Sequence, residues 1–197
     1  MTQTLDDYES RFGDGLAFSQ AFVKKPRAFL QRAACFKFAT KMLGETGPVL
    51  NLDASDGFGA WILARECGAC HAVVDDNEAR FKAEATWRGD GISFGGSAAL
   101  ATRDQIWPAL VWLTGDVPED AFTRFERLLP KLAPMATVLI GWGLEAPDAV
   151  AYQDQAAVLK PRFKKCFTFF VSGAVIRPAS PAAQGPLLFL GAGINNR

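Results

Sequence analysis

The 197-residue chain has no charge excess of either sign, because 21 Lys and Arg residues balance 21 Asp and Glu residues. A protein that binds the phosphates of DNA or RNA usually has an excess of basic residues, so the charge balance argues against nucleic acid as a partner. The chain also lacks an apolar run of the ~20 residues that a membrane-spanning helix requires. Residues 1–15 are polar and acidic and do not resemble a secretory signal. We therefore expect a cytoplasmic protein without membrane contact.

Histidine and cysteine are scarce, with one His and four Cys. Cys67, Cys70 and His71 form the Cys-x-x-Cys-His signature of covalent c-type haem, but that attachment follows export. A zinc site needs four ligands, so Cys35 and Cys166 would have to come close. A thiol–disulfide pair stays open, and the simplest interpretation is small, half-buried residues in a turn. We expect His71, at the start of an apolar strand, to be a hydrogen-bonded structural residue.

Short apolar runs alternate with amphipathic helical segments, which is typical of an α/β domain with a parallel sheet. The predicted strands are 49–52, 72–74, 92–94, 109–113 and 136–141, and an antiparallel pair at 167–176 and 186–190 closes the sheet. The spacing of Phe29, Ala33 and Phe36 predicts a helix over 25–43. We predict an N-terminal helical segment at 1–47, packed on an α/β domain at 48–197. Its mostly parallel sheet has seven strands, with an antiparallel strand at the C-terminal end.

The first strand leads into a glycine-containing turn and then a helix. In an open α/β sheet this turn lets backbone approach a ligand closely, and the helix N-terminus favours the ligand's polar end. Asp75 ends the second predicted strand, where its carboxylate can accept hydrogen bonds from a ribose diol. Asp76 is the less favoured neighbour. The pattern therefore indicates a ligand site at the ends of the first two strands.

These segments resemble the class I S-adenosylmethionine-dependent methyltransferases, from about Phe36 to the end of the chain. The first motif of that family reads apolar-apolar-Asp-apolar-Gly-Cys-Gly-x-Gly, and residues 49–57 read Val-Leu-Asn-Leu-Asp-Ala-Ser-Asp-Gly. The stretch at 128–134 is similar to the one that precedes the family's fifth strand. The resemblance implies a Rossmann-like methyltransferase fold with S-adenosylmethionine as cofactor. The residues at its cofactor-binding positions are Asp53, Ser55, Gly57, Asp75 and Ser97.

Several of these positions depart from the family's pattern. Asp53 and Ser55 replace two of the three motif glycines, and Asn51 replaces the acid of the first strand. A carboxylate at Asp53 adds bulk and negative charge where the methionine end of the cofactor normally meets bare backbone. Ser97 stands where the family commonly has an acid facing the adenine amine. Losing such contacts at ~1–3 kcal/mol each predicts a weakened cofactor site.

Two acids follow the fourth predicted strand, where methyltransferases of this type commonly approach their substrate. Asp116 or Glu119 could act as a base or orient a nucleophile. The alternative is that they cap the next helix, since acids favour a helix N-terminus.

Two functions therefore stay open. The first is methyl transfer from S-adenosylmethionine to a small molecule or glycan, which Gly57, Gly59 and Asp75 favour. The second is a catalytically inactive subunit of the same fold, with a structural or assembly role and a protein partner or second copy. Asp53 and Ser55 favour the second.

Overall fold

The computed structural model describes residues 25–54, 56–87, 89, 91–102, 104–115, 119–145, 157–180 and 186–195. The helices in these ranges are α1 (Pro26–Leu43), α2 (Phe58–Cys67), α3 (Asn77–Trp87), α4 (Ser97–Thr102) and α5 (Ala121–Leu128). The strands are β1 (Val49–Leu52), β2 (Cys70–Val73), β3 (Ile92–Gly95), β4 (Trp107–Leu113), β5 (Leu132–Gly141), β6 (Phe163–Ser172), β7 (Val175–Pro178) and β8 (Leu187–Ile194). In the same ranges no helix is both long enough and apolar enough to cross a membrane.

The strands form one sheet in the order β3-β2-β1-β4-β5-β8-β6-β7. Strands β1 to β5 pair in parallel, and β8 lies antiparallel between β5 and β6. The predicted α/β class and the antiparallel closing strand are confirmed. The sheet has eight strands rather than seven, because the predicted strand at 167–176 breaks at a turn. Gly173 adopts a φ of 58° there, and β7 folds back on β6.

The sheet carries a hydrophobic core on each face. On one face, Phe36 of α1 and Leu63 of α2 belong to the same buried cluster as Val111 of β4. On the other face, Leu100 of α4 and Phe125 of α5 cluster with apolar strand residues. Parallel strands that are covered on both faces have apolar residues at successive positions, so they are easily recognised in the sequence.

Helix α1 begins one residue after the predicted start and ends at Leu43, as predicted. Pro26 occupies the first turn, where its missing N–H costs nothing, and Gly44 ends the helix with a φ of 61°. Phe29 and Phe36 are buried, as their spacing predicts. The helix packs mainly against α2, so it covers the segment that follows β1.

The predicted turn around the Cys-x-x-Cys-His segment is shorter than expected. Cys67 is the last residue of α2, whereas Cys70 and His71 lie inside β2. Only two residues connect them, because Gly68 ends the helix with a φ of 97°. Both cysteines are therefore fully buried rather than half-buried.

Candidate ligand-binding site

The carboxyl ends of β1, β2 and β4 meet at one edge of the sheet. Leu52 at the end of β1 is in register with Trp112 near the end of β4, and β2 pairs with β1 on the other side. Asp53 and Asp75 follow β1 and β2 and therefore stand at this edge. In open α/β sheets, ligands bind outside the carboxyl ends of the strands.

The turn after β1 is held by neighbouring elements. The Ala54 N–H donates to the Val73 carbonyl at 3.0 Å, and the Asp56 side chain accepts a bond from the Phe58 N–H at the start of α2. The Trp87 indole of α3 donates to the Asp56 carbonyl at 2.9 Å. Arg32 of α1 also forms an ion pair with Asp56. The turn is therefore fixed by α1, α3 and β2 together.

Asp53 is the one non-glycine among the described residues with a positive φ, at 53°. This left-handed backbone suits the glycine that the methyltransferase motif has there, and Asp tolerates it better than most residues. The carboxylate accepts a hydrogen bond from the Trp112 indole at 2.5 Å. Arg124 of α5 donates to it through Nη2 at 3.0 Å and Nη1 at 3.4 Å. The Asp53 side chain therefore adds the expected bulk to the turn, but its negative charge is paired with Arg124.

Asp75 and Ser97, both predicted site residues, lie together. The Ser97 backbone N–H donates to Asp75 Oδ1 at 2.6 Å, so the carboxylate holds the beginning of α4. Asp75 Oδ2 lies 4.0 Å from Nη2 of Arg124, and the Asp75 side chain is 53 % exposed. The carboxylate is thus fixed on one side and open to solvent on the other.

A groove of about 470 Å³ runs between α4 and α5 and begins at Asp75. Its lining combines leucine and alanine side chains with several charged ones. The described residues that line this α4–α5 groove are Leu52, Asp75, Ser97, Ala98, Leu100, Ala101, Asp120, Arg124, Arg127, Leu128 and Lys131. Its volume and its mixture of apolar walls with a few polar groups suit a small organic ligand.

No protein-family profile matches the chain, and no curated protein matches it in sequence. Solved structures do match. The plantazolicin methyltransferase BpumL, in complex with SAH, has a TM-score of 0.62 at 14% identity, covering 96% of this chain and 93% of BpumL. The N-methyltransferase NodS from Bradyrhizobium japonicum has a TM-score of 0.60 at 14% identity, covering 86% of this chain and 97% of NodS. The chain has the class I methyltransferase fold.

The same fold supports more than one reaction. A precorrin 8w decarboxylase from Methanobacterium thermoautotrophicum matches with a TM-score of 0.56 at 11% identity, covering 82% of this chain and 89% of that protein. The fold alone therefore does not determine which reaction a chain catalyses.

The predicted acids after β4 are placed only in part. Glu119 is exposed in the turn before α5, whereas Asp116 and the motif residue Ser55 lie outside the described residues. Asp120, the next residue after Glu119, lines the α4–α5 groove. It stands at the N-cap of α5 without a side-chain capping bond to the part of the chain that is described. The roles of Asp116 and Glu119 stay predictions.

The remaining predicted candidates lie away from this edge of the methyltransferase fold. His71 is 1 % exposed, its Nδ1 lies 2.7 Å from Ser93 Oγ, and its ring stacks on Trp107. These contacts agree with the structural role expected for His71.

Cys35 and Cys70 are buried as well. Burial raises the pKa of the Cys35 thiol to about 12 and also raises the pKa of Cys70. Burial therefore favours the neutral thiol over the nucleophilic thiolate at both cysteines. Within the described ranges no three His, Cys, Asp or Glu residues form a group that could hold a metal ion.

Arg124 and Trp112 were missed by the sequence reasoning. The guanidinium carbon of Arg124 lies 5.1 Å from the centroid of the Trp112 ring, so the ring supports the cation while both bind Asp53. Neither residue belongs to the family motif, and 71 positions separate Arg124 from Asp53. The one available signal was that Trp112 lies near the end of the fourth strand, where ligand-site residues gather.

Proposed function

We propose that the chain binds S-adenosylmethionine across the turn after β1 and the α4–α5 groove, and that it transfers the methyl group to a small molecule or glycan. The observation that carries the proposal is the half-exposed carboxylate of Asp75 at the end of β2. Its Oδ1 is held by the Ser97 N–H, and its other face opens into the groove.

The ribose of the cofactor would lie against Asp75. A diol needs an ionised acceptor in a fixed position, and hydrogen bonds to a carboxylate are among the stronger ones in proteins. The adenine ring would lie in the groove, where Leu100 and Ala98 offer apolar contact. The methionine end would extend to the turn after β1 at Asp53, because Gly57 itself is buried against Trp87.

When bound, S-adenosylmethionine supplies a methyl group that an acceptor nucleophile takes from a sulfonium. The protein contributes chiefly position and shelter, since bringing the reactants together removes much of the barrier. We assign to Asp116 and Glu119 the task of orienting the acceptor or taking its proton. The charge balance of the chain favours a small-molecule or glycan acceptor over a polyanion.

A second candidate is a catalytically inactive methyltransferase-fold subunit that binds a protein or a second copy of itself. The observation in its favour is the Asp53–Arg124 ion pair, which occupies space where the family keeps bare backbone. The two candidates differ in whether the wild-type protein binds the cofactor.

The test compares two neighbouring isosteric substitutions, Asp75→Asn and Asp76→Asn. Asparagine keeps a side-chain oxygen at each position, so the start of α4 and the bond from Ala79 N–H to Asp76 Oδ1 at 2.7 Å are preserved. Losing a charge-assisted hydrogen bond at ~1.5–3 kcal/mol predicts that Asp75→Asn weakens binding at least about tenfold. Asp76→Asn should change it by less than about twofold. Isothermal titration calorimetry with S-adenosylmethionine and S-adenosylhomocysteine measures both.

Absence of binding by the wild-type protein at millimolar cofactor would refute the enzyme proposal and leave the structural candidate. Equal effects of the two substitutions would show that the ribose does not lie at Asp75. Thermal denaturation of both variants provides the control for folding.

A further inference from the structure

One guanidinium nitrogen of Arg124 lies between Asp53 and Asp75, the two acids that follow β1 and β2. Arg124 Nη2 lies 3.0 Å from Asp53 Oδ1 and 4.0 Å from Asp75 Oδ2. The proposed ligand has to reach from Asp75 to the turn that contains Asp53. It must therefore pass this nitrogen or displace it.

Arg124 is held in this position from several directions. It donates twice to Asp53 and lies over the Trp112 ring, and its side chain is only 22 % exposed. The Asp53 carboxylate is fixed in turn by the Trp112 indole. Asp53 and Arg124 therefore contact the Trp112 side chain as well as each other.

We infer that Asp53 and Arg124 form a charge pair that covers the cofactor cleft and sets its preference between the cationic and the neutral form of an adenosyl ligand. This inference rests on the proposed function. S-adenosylmethionine and S-adenosylhomocysteine differ at the sulfur alone, by one methyl group and its positive charge. Arg124 repels that charge and Asp53 attracts it, so in the intact pair the two effects oppose each other.

The test measures the ratio of the two dissociation constants in the wild-type protein and in three variants, which are Arg124→Met, Asp53→Asn and the double substitution. Arg124→Met leaves the Asp53 carboxylate uncompensated and should shift the preference toward S-adenosylmethionine by about fivefold. Asp53→Asn leaves the guanidinium with only the more distant Asp75, at 4.0 Å, and should shift the preference toward S-adenosylhomocysteine by up to a similar factor. A unit charge several ångströms away in a partly screened site accounts for shifts of this size. The double variant should return to within about twofold of the wild-type ratio.

Arg162→Met is the matched control, because it breaks another arginine–carboxylate pair, with Glu126 at 2.9 Å, whose members do not line the groove. It should leave the ratio unchanged. If Arg124→Met does not fold, as judged by thermal denaturation, Arg124→Gln removes the same charge with a side chain that can still hydrogen-bond to Asp53.

Opposite shifts in the two single variants support the inference. Ratios that stay at the wild-type value, or move in the same direction, overturn it while leaving the proposed function intact, provided that the wild-type protein binds. Failure of the wild-type protein to bind either ligand overturns both the inference and the proposed function.

Discussion

Replacing Gly57 with alanine should lower the free energy of unfolding by about 3 kcal/mol, which combines backbone strain with a steric collision. Gly57 has a φ of 72°, where L residues are strained. A Cβ at this position would collide with Cδ1 of Trp87 and lie 2.7 Å from its Nε1. Trp87 is 4 % exposed, and its indole is bound to the Asp56 carbonyl, so the ring cannot move aside without losing that bond. Urea denaturation followed by fluorescence measures the change.

The substitution Gly173→Ala separates the backbone strain from the steric collision with Trp87. Gly173 has a φ of 58°, but a Cβ there would meet nothing within 4 Å. This substitution should cost about 1 kcal/mol, the strain alone. Equal costs at the two glycines would show that Trp87 does not close over the turn as described.

Phe125→Ala should destabilise the protein by about 4 kcal/mol, because it leaves a cavity under α5. Phe125 is 1 % exposed, and its ring centroid lies 6.0 Å from that of Phe163 on β6. This contact holds α5 against the sheet. Helix α5 carries Arg124 and forms one wall of the α4–α5 groove. The same denaturation measurement applies.

Phe81→Ala is the control for removing the same ring from the surface. Phe81 lies on α3 with 73 % of its surface exposed, so the expected change is within about 0.5 kcal/mol. A loss of less than 1 kcal/mol from Phe125→Ala would contradict the packing of α5 against the sheet.

Much of the fold could be predicted from the sequence because its strongest signals are local. Buried parallel strands produce unbroken apolar runs such as 109–113, and glycines mark the points where helices begin and end. The break between β6 and β7 was missed because apolar residues lie on both sides of the turn, and only Ser172 and Gly173 separate them.

The candidate site could be predicted only where its residues belong to the motif. Gly57 and Asp75 follow directly from the strand–turn–helix pattern, and the structure places both at the same edge of the sheet. Arg124 reaches that edge from a helix 71 positions beyond Asp53, so only the tertiary fold brings the two together. The sequence therefore indicated an isolated negative charge at Asp53, whereas the folded chain pairs it.

A crystal structure of the protein with S-adenosylhomocysteine would show whether an adenosyl ligand lies across the ends of β1 and β2. We expect adenosine in the α4–α5 groove with a ribose hydroxyl at hydrogen-bond distance, about 2.7 Å, from Asp75. Arg124 Nη2 should then lie farther from Asp75 Oδ2 than its present 4.0 Å. A ligand bound elsewhere, or no ligand at millimolar concentration, would rule out this binding mode.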